Sequence, residues 1–426
     1  MNKLTLALLL SSFISSVYAA DNDYLISETS VPPEKSTLRA FGNGDTYTYI
    51  KCVYRKNKDK AFDASSSWEW GRADNAANDY ATVNGHWYSG AILTNMFYTK
   101  SSYQDIENVC INTLNKKGIS YSDMIPYASD YTLSYYYSFW NEGDSVPTID
   151  VGNKKLDRMV VFGDSLSDTI NVYNGSYGTV PNSTTWYLGH FSNGLVWHEY
   201  LSKKHIKVPS YTWATGNAES GGNLIFSGFD QQLDSFDAYI KKSSGYDINK
   251  TLFLALFGGN DFITGNKSPD HIINNYKASL VRLKNLGAKQ IVVLTLPDFS
   301  TVPAVKSKSQ AERDKLKNKS VEFNMKLSSL IDSLRATYPD VTWIMPDLNA
   351  AFDKIVKNPA DFGYVNTTDT CLNLWGSSID YIAGSSPRDE CKNSNGAFIF
   401  WDNMHPTTKT HEILSDILAG EIKSSL

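Results

Sequence analysis

Beyond residue 158 the chain alternates between short apolar runs and longer amphipathic ones, and no other feature narrows its fold so far. Apolar, β-rich runs stand at residues 159–162, 209–214, 252–257, 290–296 and 341–345. Helical patterns fill the intervals at 195–203, 229–242, 269–286, 309–338 and 408–423. A strand followed repeatedly by a helix implies βαβ units, hence an α/β fold with a parallel sheet covered on both faces. In such sheets ligands collect beyond the carboxyl ends of the strands. A search for chemistry therefore starts at those ends.

Four short blocks stand there or just before the last helix. The first is Gly163-Asp164-Ser165-Leu166-Ser167-Asp168 and the second Trp213-Ala214-Thr215-Gly216-Asn217-Ala218. The third is Gly258-Gly259-Asn260-Asp261 and the fourth Asp402-Asn403-Met404-His405-Pro406. A serine hydroxyl is a weak nucleophile until a base takes its proton, and a histidine oriented by a carboxylate is the usual base. Asp402 stands three residues before His405 and can reach the far ring nitrogen from one tight loop. Asp-x-x-His alone is weak, since a surface acid and a buried histidine give the same string. Its weight comes from order and position. The chain contains no Gly-x-Ser-x-Gly elbow, no His-Glu-x-x-His and no Walker loop. Asp164 and Asp168 flank the serine without further ligands for a metal, so local hydrogen bonding is expected of them. His190 and His198 read as structural.

The ordered blocks resemble the GDSL, or SGNH, lipase/esterase family over residues 158–426. Gly-Asp-Ser-Leu-Ser-Asp-Thr, the run Leu188-Gly189-His190-Phe191-Ser192-Asn193-Gly194 and the aromatic N-terminal region are closest to the thermolabile, lecithin-dependent hemolysins. Those are secreted bacterial phospholipases. The resemblance implies a flavodoxin-like parallel sheet flanked by helices, with Ser165 as nucleophile, His405 as base and Asp402 as its partner. It also implies an oxyanion hole from the N–H groups of Ser165 and Gly216 and the amide of Asn260. No cofactor or metal is implied. The implied activity is a phospholipase A or lysophospholipase passing through an acyl-serine. An acyltransferase using the same acyl-enzyme is the near alternative, and a binding protein with an inert hydrolase-like half the distant one. Ile170 and Asn217 stand where relatives often carry glycine, which bears on the shape of the pocket.

The rest of the chain sets the context. Lys3, the apolar run 4–10 and Val17-Tyr18-Ala19 read as a secretory signal cleaved near Ala19. Residues 20–142 then form a small α+β domain. It has a strand over 45–54, a hairpin signal at Asn84-Gly85, a helix near 103–114 and β character at 131–140. Residues 143–157 read as a linker. An exported protein makes Cys52, Cys110, Cys371 and Cys391 expected disulfide partners, with nearest-neighbour pairing favoured. The long insertion 361–398, which holds the second pair, is a candidate wall or lid. A net charge of −5 gives no grip for nucleic acid, and no later run is long enough to span a membrane. Aromatic residues make up 13% of the chain, which suits contact with a lipid ester or a transient membrane contact as well as ordinary β-rich packing.

Overall fold

The computed structural model describes residues 46–88, 96–129, 136–143, 146–223, 225–241 and 243–426. The signal segment expected at 1–19 lies outside them.

Among the described residues the first region is a mostly antiparallel sheet with one helix. Strand β1 (Thr46–Arg55) pairs with β2 (Ser66–Trp70), β3 (Thr82–Tyr88) and β5 (Met124–Ser129), while β4 (Met96–Thr99) joins β3 to β6 (Ser138–Asn141). Helix α1 (Tyr103–Lys116) is capped by Ser102, whose side chain accepts from Asp105 N–H, and packs on β1 and β5. Cys52 of β1 and Cys110 of α1 form a disulfide inside this core.

Asn84-Gly85 does not turn. It lies inside β3, where the strand exchanges partners: residues up to Gly85 pair with β1, and His86 to Tyr88 pair with β4. A Cβ at Gly85 would stand 1.9 Å from the carbonyl oxygen of Tyr98, so the glycine answers a close backbone approach rather than a hairpin. The expected linker is also partly structured. It folds into a hairpin of β7 (Ile149–Val151) and β8 (Lys154–Leu156), and Asn153 N–H donates to the C-terminal Leu426 carbonyl.

The second region carries a five-stranded, wholly parallel sheet in the order β10-β9-β11-β12-β13. These strands are Arg158–Gly163 (β9), Ser210–Thr212 (β10), Thr251–Leu256 (β11), Gln290–Val293 (β12) and Thr342–Ile344 (β13). Every residue of β9, β11 and β12 is buried, which explains their unbroken apolar runs. Helices α2 (Phe229–Ile240), α3 (Pro269–Asn285) and α4 (Gln310–Thr337) pack side by side, and α5 (Leu348–Lys357) and α6 (Thr408–Ser425) form a second group. The long α4 starts at a reciprocal Ser309–Glu312 capping box, as its first residues suggest. The pattern at 195–203 departs from a regular helix: one α-turn, Trp197–Tyr200, widens into a π-turn over Leu201–Ile206. Strand order reverses between β9 and β11, and this switch point is where a doubly wound sheet opens a crevice.

The two regions share packing. Met96, Tyr98 and Trp140 join the apolar core of the parallel sheet. The buried Arg158 guanidinium lies 4.4 Å from the Trp140 ring, donates to the Asn141 carbonyl and pairs with Asp157. Val53, Ile125, Tyr127 and Tyr136 pack against Ile170, Tyr187, Leu188 and Leu195, so the first region braces the segment that runs from the serine loop.

Candidate active site

Ser165 stands two residues past the end of β9, at the switch point, and Asn260 opens a short helix (Gly259–Ile263) just past β11. His405 lies between the short strand β15 (Phe398–Phe400) and α6. Three distant stretches of chain meet here. His405 Nε2 is 2.7 Å from Ser165 Oγ, and His405 Nδ1 is 2.8 and 2.9 Å from the two carboxylate oxygens of Asp402. All three side chains are buried.

Asp402 is heavily solvated by the protein. Its Oδ1 accepts from the backbone N–H groups of Met404 and His405, each at 2.9 Å, and its Oδ2 from the indole N–H of Trp186 at 2.9 Å. Burial alone would raise the pKa of this carboxyl. The His405 ring and the surrounding donors outweigh that and hold it below the ordinary range. Tyr381 places its hydroxyl 3.3 Å from His405 Nδ1, its ring against Trp186 (4.9 Å between centroids) and against Phe191 (5.7 Å). Phe191 covers the His405 ring at 5.2 Å. Phe191 and Tyr381 thus lie against the His405 ring, and Trp186 stands behind them on Asp402 and Tyr381.

The serine side is organised by buried carboxylates instead. Asp164 accepts from Leu166 N–H at 3.0 Å, and burial pushes its pKa up to about 7. Asp168 accepts four backbone N–H bonds: Ile170 and Asn171 on Oδ1, Val172 and Gly216 on Oδ2. Burial pushes Asp168 up to about 6, and those four donors pull it back toward ionisation. Asp261 accepts from the N–H and hydroxyl of Ser220, both at 2.8 Å. Asn260 Nδ2 donates to the Ala218 carbonyl at 2.9 Å. The first, second and third blocks are therefore stitched to one another. No cluster of three or more potential metal ligands occurs among the described residues.

Two details concern the second block. The Gly216 N–H, expected among the oxyanion donors, is engaged with Asp168 Oδ2 at 2.8 Å. A Cβ at Gly216 would sit 2.7 Å from the Phe191 ring that covers His405, so a side chain there would press that ring toward the imidazole. Asn217 takes φ 64°, a left-handed conformation that asparagine tolerates better than most residues, which accounts for asparagine where relatives carry glycine. His190 is bonded to Glu199, and His198 to Ser210 and the Ser167 carbonyl, both away from the reacting groups. Trp186, Phe191 and Tyr381 escaped the sequence reading as site residues. Phe191 falls inside a block quoted for the resemblance, but Trp186 and Tyr381 carry no local signal.

Cys371 and Cys391 form the second disulfide, at the base of the 361–398 insertion. The insertion is a built structure, in which β14 (Asn366–Thr370) pairs with β15 and Tyr381 reaches His405. It is a wall of the site.

Both regions of the chain are similar to known proteins. Residues 159–418 match the model of the GDSL-like lipase/acylhydrolase family, and residues 19–142 that of the N-terminal domain of the Vibrio dual lipase/transferase. The thermolabile hemolysin of Vibrio parahaemolyticus is 35% identical over 395 residues, covering 91% of this chain and 92% of that one. The phosphatidylcholine-sterol acyltransferase of Aeromonas hydrophila is 25% identical over 309 residues, covering 63% of this chain and 91% of the other. Among solved structures, the inhibitor-bound aryl esterase of M. smegmatis is 16% identical with a TM-score of 0.36, covering 63% of this chain and all of that one.

Proposed function

This chain belongs to the GDSL-like lipase/acylhydrolase family as a lipolytic carboxylic ester hydrolase, and from that premise we propose a phospholipase A with Ser165 as its nucleophile. One observation carries the assignment of roles: the 2.7 Å contact of His405 Nε2 with Ser165 Oγ, backed by Asp402 on the other nitrogen. Ser165 Oγ attacks the ester carbonyl carbon as His405 takes its proton. The carbonyl oxygen becomes an oxyanion, received by the Ser165 N–H and the second amide hydrogen of Asn260. The Gly216 N–H, which donates to Asp168 Oδ2 at 2.8 Å, is the third donor of this reading once it turns from that carboxylate to the oxyanion. Collapse breaks the bond to the glycerol oxygen, which leaves as an alcohol with the proton from His405. Water then attacks the acyl-serine with His405 as base, releasing fatty acid and restoring the hydroxyl. Asp402 stabilises the imidazolium in both halves. No step calls for a metal or cofactor.

The substrate in this reading is a glycerophospholipid or lysophospholipid, and loss of red-cell membrane integrity is its consequence. The reading extends to export: residues 1–19 are a signal, and the mature enzyme meets lipid outside the cell. No helix among the described residues is long and apolar enough to cross a membrane. A second reading, acyl transfer to a sterol or other alcohol in place of water, draws support from the sterol acyltransferase relative and from the family of the N-terminal region.

The test is incubation of the purified protein with defined phosphatidylcholine, with and without sterol, and identification of products by mass. Free fatty acid and lysophospholipid are expected, and Ser165→Ala should lower kcat by about 10⁶-fold. Hydrolysis that survives in Ser165→Ala removes the nucleophile assignment. Sterol ester dominating over free fatty acid makes the enzyme chiefly a transferase.

A further inference from the structure

The wall that carries Tyr381 to the catalytic base ends in a turn whose largest side chain lies mostly in water. Trp375 at its tip is 79% exposed, and Ile379 beside it is 44% exposed. Such exposure of an indole normally accompanies a mobile segment, yet this turn is fastened from inside. The carboxylate of Asp380, itself buried, accepts the backbone N–H groups of Trp375 at 3.1 Å, Gly376 at 2.9 Å and Ser377 at 3.1 Å. Leu374 packs inward on the cluster formed by the Cys371–Cys391 disulfide, Trp186 and Trp401. On the far side Asn182 N–H donates to the Tyr381 carbonyl, Asn182 Nδ2 to that of Ile382, and Ser385 N–H to Thr185 Oγ1. The fold holds an apolar tip out into water on the loop that touches His405.

Charge narrows what the tip meets. Between Cys371 and Ser386 the only ionisable side chains besides Tyr381 and the disulfide are those of Asp380, which is consumed by three N–H groups. The outward surface of the turn is thus indole, aliphatic chain and the hydroxyls of Ser377 and Ser378, without a cation to seek an anionic surface. The whole chain carries −5, which such a surface would repel. Indole rings partition into the headgroup layer of bilayers, with the apolar body in and the N–H solvated.

We propose that Trp375, with Ile379, is an interfacial anchor that seats the mouth of the Ser165 site on a zwitterionic phospholipid surface. The inference rests on the lipid-hydrolase reading, and the experiment separates the two. Binding is measured by co-sedimentation of the Ser165→Ala protein, which leaves the lipid intact, with phosphatidylcholine vesicles. Adding Trp375→Ser is expected to weaken partitioning about tenfold, as burial of one indole contributes. In the protein with Ser165 intact, Trp375→Ser should leave kcat/KM on a monomeric, water-soluble short-chain ester unchanged and lower vesicle hydrolysis by a similar factor. Equal sedimentation of the two proteins overturns the anchor, as does a loss confined to anionic vesicles. A Trp375-dependent self-association with unchanged sedimentation overturns it in favour of a second copy of the chain. Absence of activity on the soluble ester in the protein with Ser165 and Trp375 intact instead removes the enzymatic reading, whatever the vesicles show.

Discussion

The serine side and the histidine side of this site are held in place by different physics. Around Ser165, buried carboxylates gather backbone N–H groups: Asp164 takes Leu166, Asp168 takes three residues just after its own block and Gly216 of the second, and Asp261 takes Ser220. Around His405, aromatic side chains do the holding. Trp186 donates to Asp402, Tyr381 and Phe191 enclose the ring, and a disulfide fixes the base of the loop that delivers Tyr381. Most of these carboxylate bonds reach only two to four residues along the chain, so each acid is written inside a compact block. Two further bonds, across 48 and 41 residues, tie one block to the next. A cage of rings can be drawn from anywhere in the chain, and here Trp186 bonds an Asp402 that stands 216 residues away.

The largest effect that would test this contrast is expected from Asp168→Ala. The change leaves the N–H groups of Ile170, Asn171, Val172 and Gly216 without their acceptor in a buried place. At ~1–3 kcal/mol for each unsatisfied group, partly relieved by entering water, a stability loss of about 5 kcal/mol is expected. Urea unfolding measures it. A loss below about 1 kcal/mol would mean that the serine loop does not depend on its carboxylate, and the contrast would fall.

A smaller effect of definite sign comes from Asp164. Burial raises its pKa from the ordinary 3.8 to about 7, so between those pH values the folded chain keeps a proton that the unfolded chain releases. Its contribution to stability is therefore fully present below 3.8 and is lost as pH rises toward 7. Asp164→Asn should flatten the stability profile across that window, by up to ~4 kcal/mol at ~1.4 kcal/mol per unit. Unfolding titrations of both proteins at intervals from pH 4 to 8 give the comparison. Parallel profiles would show that Asp164 is ionised in the fold.

What could be read from the chain follows the same division. The parallel strands were legible because central strands are apolar on both faces, and Ser165, Asn260 and the Asp402–His405 pair because each sits in a contiguous block. Gly85 was misread because a glycine that permits backbone contact and one that permits a turn look alike without the partner strand. The β7–β8 hairpin hid in a stretch too short and polar to show a period. Trp186 lies 216 residues from the Asp402 it serves, and Tyr381 lies in an insertion outside the strand–helix pattern. Their roles come from tertiary contact alone, which no local pattern encodes.

The finest test of the aromatic side is Trp186→Phe. It keeps a ring to stack on Tyr381 and removes one donor from Asp402 Oδ2, leaving the His405 ring and the two backbone N–H groups of Met404 and His405 in place. A hydrogen bond to a charged group contributes ~1.5–3 kcal/mol, of which only the part that orients the base enters the rate. About a tenfold fall in kcat on a soluble ester is expected, with KM unchanged because the indole is fully buried and bonded to Asp402. A fall in KM-dependent binding alone would make Trp186 part of the pocket wall. An unchanged kcat would show that the Asp402–His405 loop orders itself through its own backbone, as the serine loop does, and the two halves of the site would then differ in composition but not in principle.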